Sequence, residues 1–185
     1  MQSGLLIIDI QNDYFPGGNN QLTDPEKAAV QANKLLAAFR RKQFPIVHIR
    51  HISTRNGATF FLPGTRGSEI HKSVQPITGE PIIIKHFPNS FRDTGLLDTL
   101  RKTGIDRPVI CGMMTHMCVD STVRAAFDHG FNCMLASDAC ATKDLSKEGV
   151  KIEAEYVQSA FMHALSGMLA DVKRTDEIID TIEAK

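Results

Sequence analysis

Length, composition and charge exclude several classes of protein. The chain has 185 residues, enough for one well-buried core, and its 42% hydrophobic and 23% charged residues are typical of a soluble globular protein. Its 21 basic residues balance 21 acidic ones, so no net field favours nucleic acid or an anionic membrane as a partner. No apolar run approaches the roughly 18 residues of a membrane span, and the N-terminus lacks a secretion signal. We expect a cytoplasmic protein with one domain over residues 1–185.

Short continuous apolar runs alternate with amphipathic segments along the chain. Continuous apolarity is typical of strands that are covered on both faces, and helical spacing of apolar residues predicts helices between them. This alternation predicts a three-layer α/β/α, Rossmann-like fold with a parallel sheet of about six strands. The predicted strands are residues 5–8, 46–49, 82–84, 109–111, 133–136 and 168–172, and the predicted helices are residues 25–42, 95–102, 118–129, 147–165 and 175–182.

One connection, residues 53–79, is longer than the usual loop of an α/β unit. It is rich in glycine, proline, threonine and aromatic residues. Loops of this length in a compact domain often build a binding site or a contact between subunits. The sequence does not choose between these two roles.

The four cysteines lack the C-x-x-C spacing of a zinc or redox pair, which favours free thiols in a reducing compartment. Cys111 and Cys133 lie within apolar runs, where a cysteine is a small buried hydrophobe. Cys118 falls in the first turn of the predicted helix 118–129. Unpaired backbone N–H groups at a helix N-terminus favour a thiolate and can hold an oxyanion. Cys118 is therefore predicted to be a nucleophile, and the alternative is an inert helix residue.

Charged residues end two of the apolar runs. Asp9 follows the first run and Lys85 the third. Because ligands of open α/β sheets bind at the carboxyl ends of the strands, both side chains are expected near Cys118. The carboxylate would take the thiol proton and the ammonium would stabilise developing negative charge. The alternatives are that Asp9 caps a turn and that Lys85 is solvated beyond its strand.

Four separated segments resemble the isochorismatase-like cysteine hydrolases, and the resemblance spans essentially the whole chain. The segments are residues 6–13 (LIIDIQND), 85–91 (KHFPNSF), 112–119 (GMMTHMCV) and 137–142 (SDACAT). They occur in the family's order with compatible spacing, which identifies a superfamily and not a substrate.

The resemblance implies the isochorismatase fold and a catalytic triad of Asp9, Lys85 and Cys118. It also implies a cis peptide between Met113 and Met114, and an oxyanion hole made by the backbone N–H groups of Met114 and Cys118. The implied reaction is acyl transfer to sulfur followed by hydrolysis of the thioester.

The nicotinamidase branch of this superfamily holds a metal through an Asp-x-His pair after the second strand and a histidine before Gly-Thr. This chain has Arg50, His51 and Ile52 after that strand and an apolar segment before Gly64, so expected ligands are missing. The other histidines form no set with zinc spacing. We expect no metal and no cofactor.

Aromatic residues near these motifs could form the wall of a pocket for a small planar or cyclic amide, or they could pack loops together, since pockets and cores use the same side chains. His116 and His86 adjoin Cys118 and Lys85 and could orient a substrate or only bond to backbone. The substrate-binding candidates are Phe15, Phe60, Phe61, Phe87, Phe91 and His116.

These expectations describe a metal-independent cysteine hydrolase that cleaves an amide-type C–N bond of a small molecule. Two alternatives stay open: isochorismatase or nicotinamidase proper, and a non-catalytic binding protein that keeps the fold. The expected partners are a small-molecule substrate and further copies of the chain in a dimer or tetramer, with no nucleic acid and no membrane.

Overall fold

A six-stranded parallel sheet forms the centre of the protein. The computed structural model describes residues 2–184. In chain order the strands are β1 (Ser3–Ile8), β2 (Ile46–His51), β3 (Ile82–Lys85), β4 (Arg107–Met113), β5 (Cys133–Ala141), β6 (Leu145–Lys147), β7 (Val150–Ile152) and β8 (Ala170–Lys173). Strands β6 and β7 form a separate pair, and the other six follow the order β3-β2-β1-β4-β5-β8 across the sheet. The apolar runs of β1 and β4 form strands because helices cover both faces of the sheet there, whereas the edge strand β3 leaves Ile82 and Ile84 exposed.

Helices lie on the two faces of this sheet and confirm the predicted three layers. Alternate residues of β1 point to opposite faces, so Leu5 belongs to one apolar core and Leu6 to the other. The first core is closed by α1 (Pro25–Arg41) and α5 (Thr175–Glu183). The second is closed by α2 (Leu96–Lys102), α3 (Asp120–Asp128) and α4 (Ala154–Leu165). No helix in residues 2–184 combines the length and apolarity needed to cross a membrane.

The predicted helix over residues 147–165 is wrong in its first part. Strands β6 and β7 form an antiparallel hairpin there, and α4 begins only at Ala154. Glu148 and Gly149 both have positive φ, 52° and 80°, between the paired Lys147 and Val150. Two such residues in succession make the type of turn that joins hairpin strands. The turn residues, not the apolar spacing, decide the local structure.

The last strand and helix were predicted with small errors at their ends. The sixth strand of the sheet is Ala170–Lys173 and does not include Met168, which is 76% exposed. Because β8 is an edge strand with only Ala170 fully buried, its apolar signal is weak. The predicted sixth strand therefore exists but starts two positions later.

Gly112 allows the end of β4 to approach β1. Its φ is +141°, and a β-carbon at this position would lie 2.0 Å from the carbonyl oxygen of Ile8. The register between β4 and β5 shifts between Ile110 and Gly112, so the strand is irregular at this point. Glycine is the one residue without a β-carbon, so it alone fits this contact. Asp9 and the turn that carries Cys118 follow directly from these two strand ends.

Replacing Gly112 by alanine should destabilise the protein more than the same change at Gly104. Gly104 also has a positive φ, +70°, but open space surrounds its position. An alanine is strained at the positive φ of either position, which lowers the free energy of unfolding by about 1 kcal/mol. In Gly112→Ala the clash of the new β-carbon with Ile8 lowers it by about 1–3 kcal/mol more. Urea denaturation of the two variants measures the difference. Equal loss of stability in both would contradict the close approach of β4 to β1.

Candidate active site

Asp9 and Lys85 form a fully buried ion pair at the carboxyl edge of the sheet. Asp9 follows β1 in a left-handed conformation with φ 50°, and its N–H donates to the carbonyl of Ile49 in β2 at 3.1 Å. Lys85 ends β3, where it pairs with His51 of β2. Its Nζ lies 2.8 Å from Asp9 Oδ2, and both side chains are 0% exposed. Each charge compensates the other where a lone buried charge would be very unfavourable.

Hydrogen bonds of the segment after β3 connect Lys85 with α3. Lys85 Nζ donates to the carbonyl oxygen of Pro88 at 2.8 Å. The next residues are bound to α3, because the hydroxyl of Thr122 donates to Ser90 Oγ at 2.8 Å and accepts from the N–H of Ser90 at 3.1 Å. The ammonium position therefore depends on both β3 and α3.

Cys118 lies in a π-helical turn, Thr115–Val119, that leads directly into α3. The helical segment thus begins at Thr115 and not, as predicted, at Cys118. The N–H groups of Met117 and Val119 both donate to the carbonyl of Met114, at 3.1 and 3.2 Å. The peptide bond between Met113 and Met114 is cis.

Helix α4 supports this turn from outside. The hydroxyl of Thr115 donates to Gln158 Oε1 at 2.6 Å, and the amide of Gln158 donates to the carbonyl of Ser137 in β5 at 3.0 Å. These bonds connect the turn with α4 and the sheet. They place the cysteine at a defined distance from the strand ends.

The structure brings the three residues of the predicted triad together. A carboxylate oxygen of Asp9, a ring nitrogen of His51 and Sγ of Cys118 all lie within 4.8 Å of one another. Lys85 contacts Asp9 directly and its charge also acts on the thiol. Cys118 is 5% exposed, and the neighbouring side chain of His51 is 14% exposed. A carboxylate, an ammonium, a thiol and an imidazole thus share one small site.

The surroundings of Cys118 oppose the effect that a helix N-terminus was expected to have on its thiol. Burial and the negative charge of Asp9 raise the pKa of Cys118 well above its ordinary value, and the opposing effect of Lys85 is smaller. These surroundings favour the protonated form of the thiol. Asp9 is the nearby carboxylate that a proton leaving this thiol would reach.

The other three cysteines are buried and lack such neighbours. Burial raises the pKa of both Cys133 and Cys140 to about 12. Burial also raises the pKa of Cys111 well above its usual value. A raised pKa is therefore common to all four thiols. What distinguishes Cys118 is the ion pair beside it.

Two residues of this site were missed as functional residues in the sequence. His51 was named there as one of the residues that follow the second strand, where the nicotinamidase branch has metal ligands. Gln11 is fully buried, and its side-chain amide donates to the carbonyls of His51 at 2.9 Å and Ser68 at 2.8 Å, while its oxygen accepts from the His51 N–H at 2.8 Å. Its position two residues after Asp9 in the segment LIIDIQND was the available signal.

The aromatic candidates divide into those near the site and those elsewhere. Phe61 is fully buried, with its ring 5.8 Å from that of His51, and Phe60 packs on it at 5.0 Å. Tyr14 joins this cluster with its ring 4.6 Å from Phe61. Of the predicted wall, Phe61 therefore lies beside His51, and Phe60 lies behind it against Phe61 and Tyr14.

The remaining candidates make other contacts. Phe15 stacks on His71 at 3.7 Å, beside a cavity of about 660 Å³ between the loop after β1 and the long connection. Phe91 packs with Phe131 in the second core, and Phe87 lies under the guanidinium of Arg92. The last candidate, His116, bonds through Nδ1 to the Thr142 hydroxyl and packs edge-on against Phe161.

Asp9, His51 and Cys118 are close enough together for one metal ion to contact all three. The charge in the site does not fit this use. The ammonium of Lys85 already compensates Asp9 at 2.8 Å and would repel a cation at this short distance. The expected absence of a metal stays a prediction, which a chelator experiment tests below.

The protein is a three-layer α/β/α protein with a carboxylate, an ammonium, a thiol and an imidazole at the carboxyl edge of its sheet. A family model described as the isochorismatase domain matches residues 3–177. The chain belongs to the isochorismatase family.

Relatives support this assignment along the whole chain. The isochorismatase family protein YddQ of Bacillus subtilis is 51% identical over 179 residues, which cover 97% of this chain and 99% of that protein. Nicotinamidase 3 of Arabidopsis thaliana is 31% identical over 156 residues, covering 76% of this chain and 73% of that protein. A crystal structure of an isochorismatase-family protein from Oleispira antarctica is 49% identical and aligns with a TM-score of 0.93 over 97% of this chain and 96% of that one.

Replacing Asp9 by asparagine should lower the pKa of Cys118 while turnover is lost. The substitution removes a charge that raises this pKa, and Lys85 is left to stabilise the thiolate. The rate of iodoacetamide alkylation at Cys118, followed by mass spectrometry across pH, should therefore rise at a lower pH than in the wild type. Turnover should fall by about 10²–10⁴-fold, because the proton carrier is gone.

Asp120→Asn is the matched control for this experiment. Asp120 begins α3 and pairs with Arg124 at 2.9 Å, and the charge effects that dominate the pKa of Cys118 are those of Asp9 and Lys85. Its alkylation profile should match that of the wild type. An unchanged profile in Asp9→Asn would show that the two side chains do not interact.

Proposed function

We propose that the protein hydrolyses an amide-type C–N bond of a small molecule through a covalent thioester on Cys118. The observation that carries the proposal is that the sulfur of Cys118 lies within 4.8 Å of a carboxylate oxygen of Asp9, which forms a buried ion pair with Lys85 at 2.8 Å. A neutral thiol needs a base at the moment of attack, and Asp9 lies within its reach. The name of nicotinamidase 3 describes a relative that cleaves an amide, which supports the same bond type.

In the first half-reaction the sulfur of Cys118 bonds to the carbonyl carbon while its proton passes to Asp9. The backbone N–H groups of Met114 and Cys118 are proposed to bind the oxyanion, and Lys85 stabilises the added negative charge. When the C–N bond breaks, Asp9 gives the proton to the leaving nitrogen. An acyl thioester and a free amine remain, and Asp9 is again a carboxylate.

In the second half-reaction water replaces the sulfur on the carbonyl carbon. Asp9 accepts one proton from the water, the C–S bond breaks, and the sulfur takes that proton back. The products are a carboxylic acid and the resting thiol. A single carboxylate thus acts as base, acid, base and acid in turn.

The substrate is proposed to be small and partly apolar. The groups around the thiol are buried, and the aromatic cluster of Phe61 and Phe60 reaches His51 through the ring of Phe61. Phe60 is only partly buried and so remains available for contact. A planar or cyclic amide suits such a surface, because aromatic side chains provide apolar area with defined geometry.

Incubation with a panel of small amides, ureido compounds and isochorismate should give a substrate whose acyl group appears on Cys118 in the intact-protein mass. Cys118→Ala should remove both adduct and turnover, and Cys140→Ala, a change at a buried thiol away from the ion pair, should retain them. An active Cys118→Ala protein would exclude the thioester. Consumption of isochorismate without an adduct would instead assign the vinyl-ether reaction.

Treatment with a chelator such as EDTA should leave turnover of that substrate unchanged. The reaction as proposed uses the ammonium of Lys85 and backbone donors for its negative charge, so it has no step for a metal. The measurement compares rates before and after dialysis against chelator and after addition of zinc. Loss of turnover that zinc restores would contradict metal independence.

A further inference from the structure

His51 is a titratable side chain inside the site that the three-residue mechanism leaves without a role. Its ring Nδ1 lies 4.0 Å from Asp9 Oδ2. It is also within 4.8 Å of the sulfur that would carry the acyl group. The side chain keeps 14% exposure, so it lies between the buried ion pair and the solvent.

The position of this imidazole is closely defined by its surroundings. The side chain of Gln11 bonds to both the N–H and the carbonyl of His51, and the next N–H, that of Ile52, donates to the carbonyl of Lys85 at 2.9 Å. The ring packs against that of Phe61. Main chain and ring are thus both held, which is what a group that orients a reactant requires.

The distance between His51 Nδ1 and Asp9 Oδ2 allows one water molecule beside them to bond to both groups. A separation of 4.0 Å is too long for a direct hydrogen bond. It suits one water that bonds to both groups at about 2.8 Å each. Within residues 2–184, neither carboxylate oxygen of Asp9 has a hydrogen-bond partner although both are buried, and Oδ2 is held by the ion pair with Lys85. Buried carboxylate oxygens normally accept hydrogen bonds, and a bound water can donate one here.

The charge state of the ring suits this role. Burial lowers the pKa of His51, and the nearby ammonium of Lys85 lowers it further, although Asp9 has the opposite effect. The ring is neutral at pH 7 and has one donor and one acceptor nitrogen. It can therefore bond to a water without competing with Lys85 for the carboxylate.

We propose that His51, together with Asp9, positions the water that hydrolyses the thioester on Cys118. This inference rests on the proposed function. In the step, the water oxygen bonds to the carbonyl carbon, its proton passes to Asp9, the C–S bond breaks, and the sulfur takes the proton from Asp9. His51 gains and loses no proton. It holds the water by a hydrogen bond, and it is needed for the second half-reaction but not for the first.

The two half-reactions can be separated with p-nitrophenyl acetate as the probe. Acetylation of Cys118 releases nitrophenolate in a rapid burst, and deacetylation sets the steady rate that follows. In His51→Phe the burst rate and amplitude should match the wild type, whereas the steady rate should fall about 10–100-fold. His51→Gln should recover part of the steady rate, because its amide can also bond to water. His51→Leu provides the same test if His51→Phe does not fold.

Hydroxylamine adds a readout that a structural role would not produce. This strong nucleophile attacks thioesters without a positioned water, so it should restore the steady rate of His51→Phe close to that of the wild type with hydroxylamine. His163→Phe, a change at an exposed histidine of α4, should behave as the wild type throughout. A burst that slows as much as the steady rate, or failure of hydroxylamine to restore turnover, would overturn the role of His51.

The same experiment separates this inference from the proposed function. Cys118→Ala measures the background reaction of other nucleophiles and should show no burst. A wild-type protein that forms no acetyl adduct on Cys118 would refute the proposed function, and the role of His51 with it. An adduct on Cys118 that His51→Phe hydrolyses at the normal rate would refute only the role of His51.

Discussion

The buried ion pair between Asp9 and Lys85 is the interaction on which the site depends. Removing two charges from water is unfavourable by several kcal/mol for each ion, and removing one partner of such a pair is destabilising by about 3–5 kcal/mol. At 2.8 Å, with both side chains fully buried, neither charge has access to solvent. A pair in this state contributes little net stability. Its value is electrostatic, because it places fixed charges of both signs beside a thiol in a dry environment.

The scaffold holds this pair through contacts between strand ends and not through the loops alone. The register of β2 and β3 sets Lys85 beside His51, and the bond from Asp9 to Ile49 sets Asp9 on the other side of β2. Gln11 then joins the segment after β1 to the end of β2. A change at any of these positions alters the distance between the charges, so we expect the geometry of the site and the stability of the sheet edge to be coupled.

The sequence predicted the strands whose continuous apolar runs result from burial on both faces of the sheet. Continuous apolar runs identified the strands because helices cover the sheet on each side, and the last strand was placed less well because it lies at an edge. The β6–β7 hairpin was missed because two positive-φ residues override helical spacing. No functional role for His51 was predicted from the sequence, because the role proposed for it depends on its distance of 4.0 Å from Asp9, which is far away in the chain. The cis peptide came from resemblance alone, since no local pattern indicates one.

The position of Cys118 in the sequence was not enough to predict the pKa of its thiol, because that pKa depends on the groups around it in space. A cysteine at the start of a helical segment suggested a thiolate, yet burial and the negative charge of Asp9 raise the pKa of Cys118. In the proposed reaction the thiol is activated only when substrate is bound, and the carboxylate that disfavours the thiolate is also the proposed base. A thiol held in its protonated form reacts slowly in alkylation and oxidation, because both require the thiolate. Low resting reactivity and catalytic competence are therefore compatible consequences of one charge arrangement.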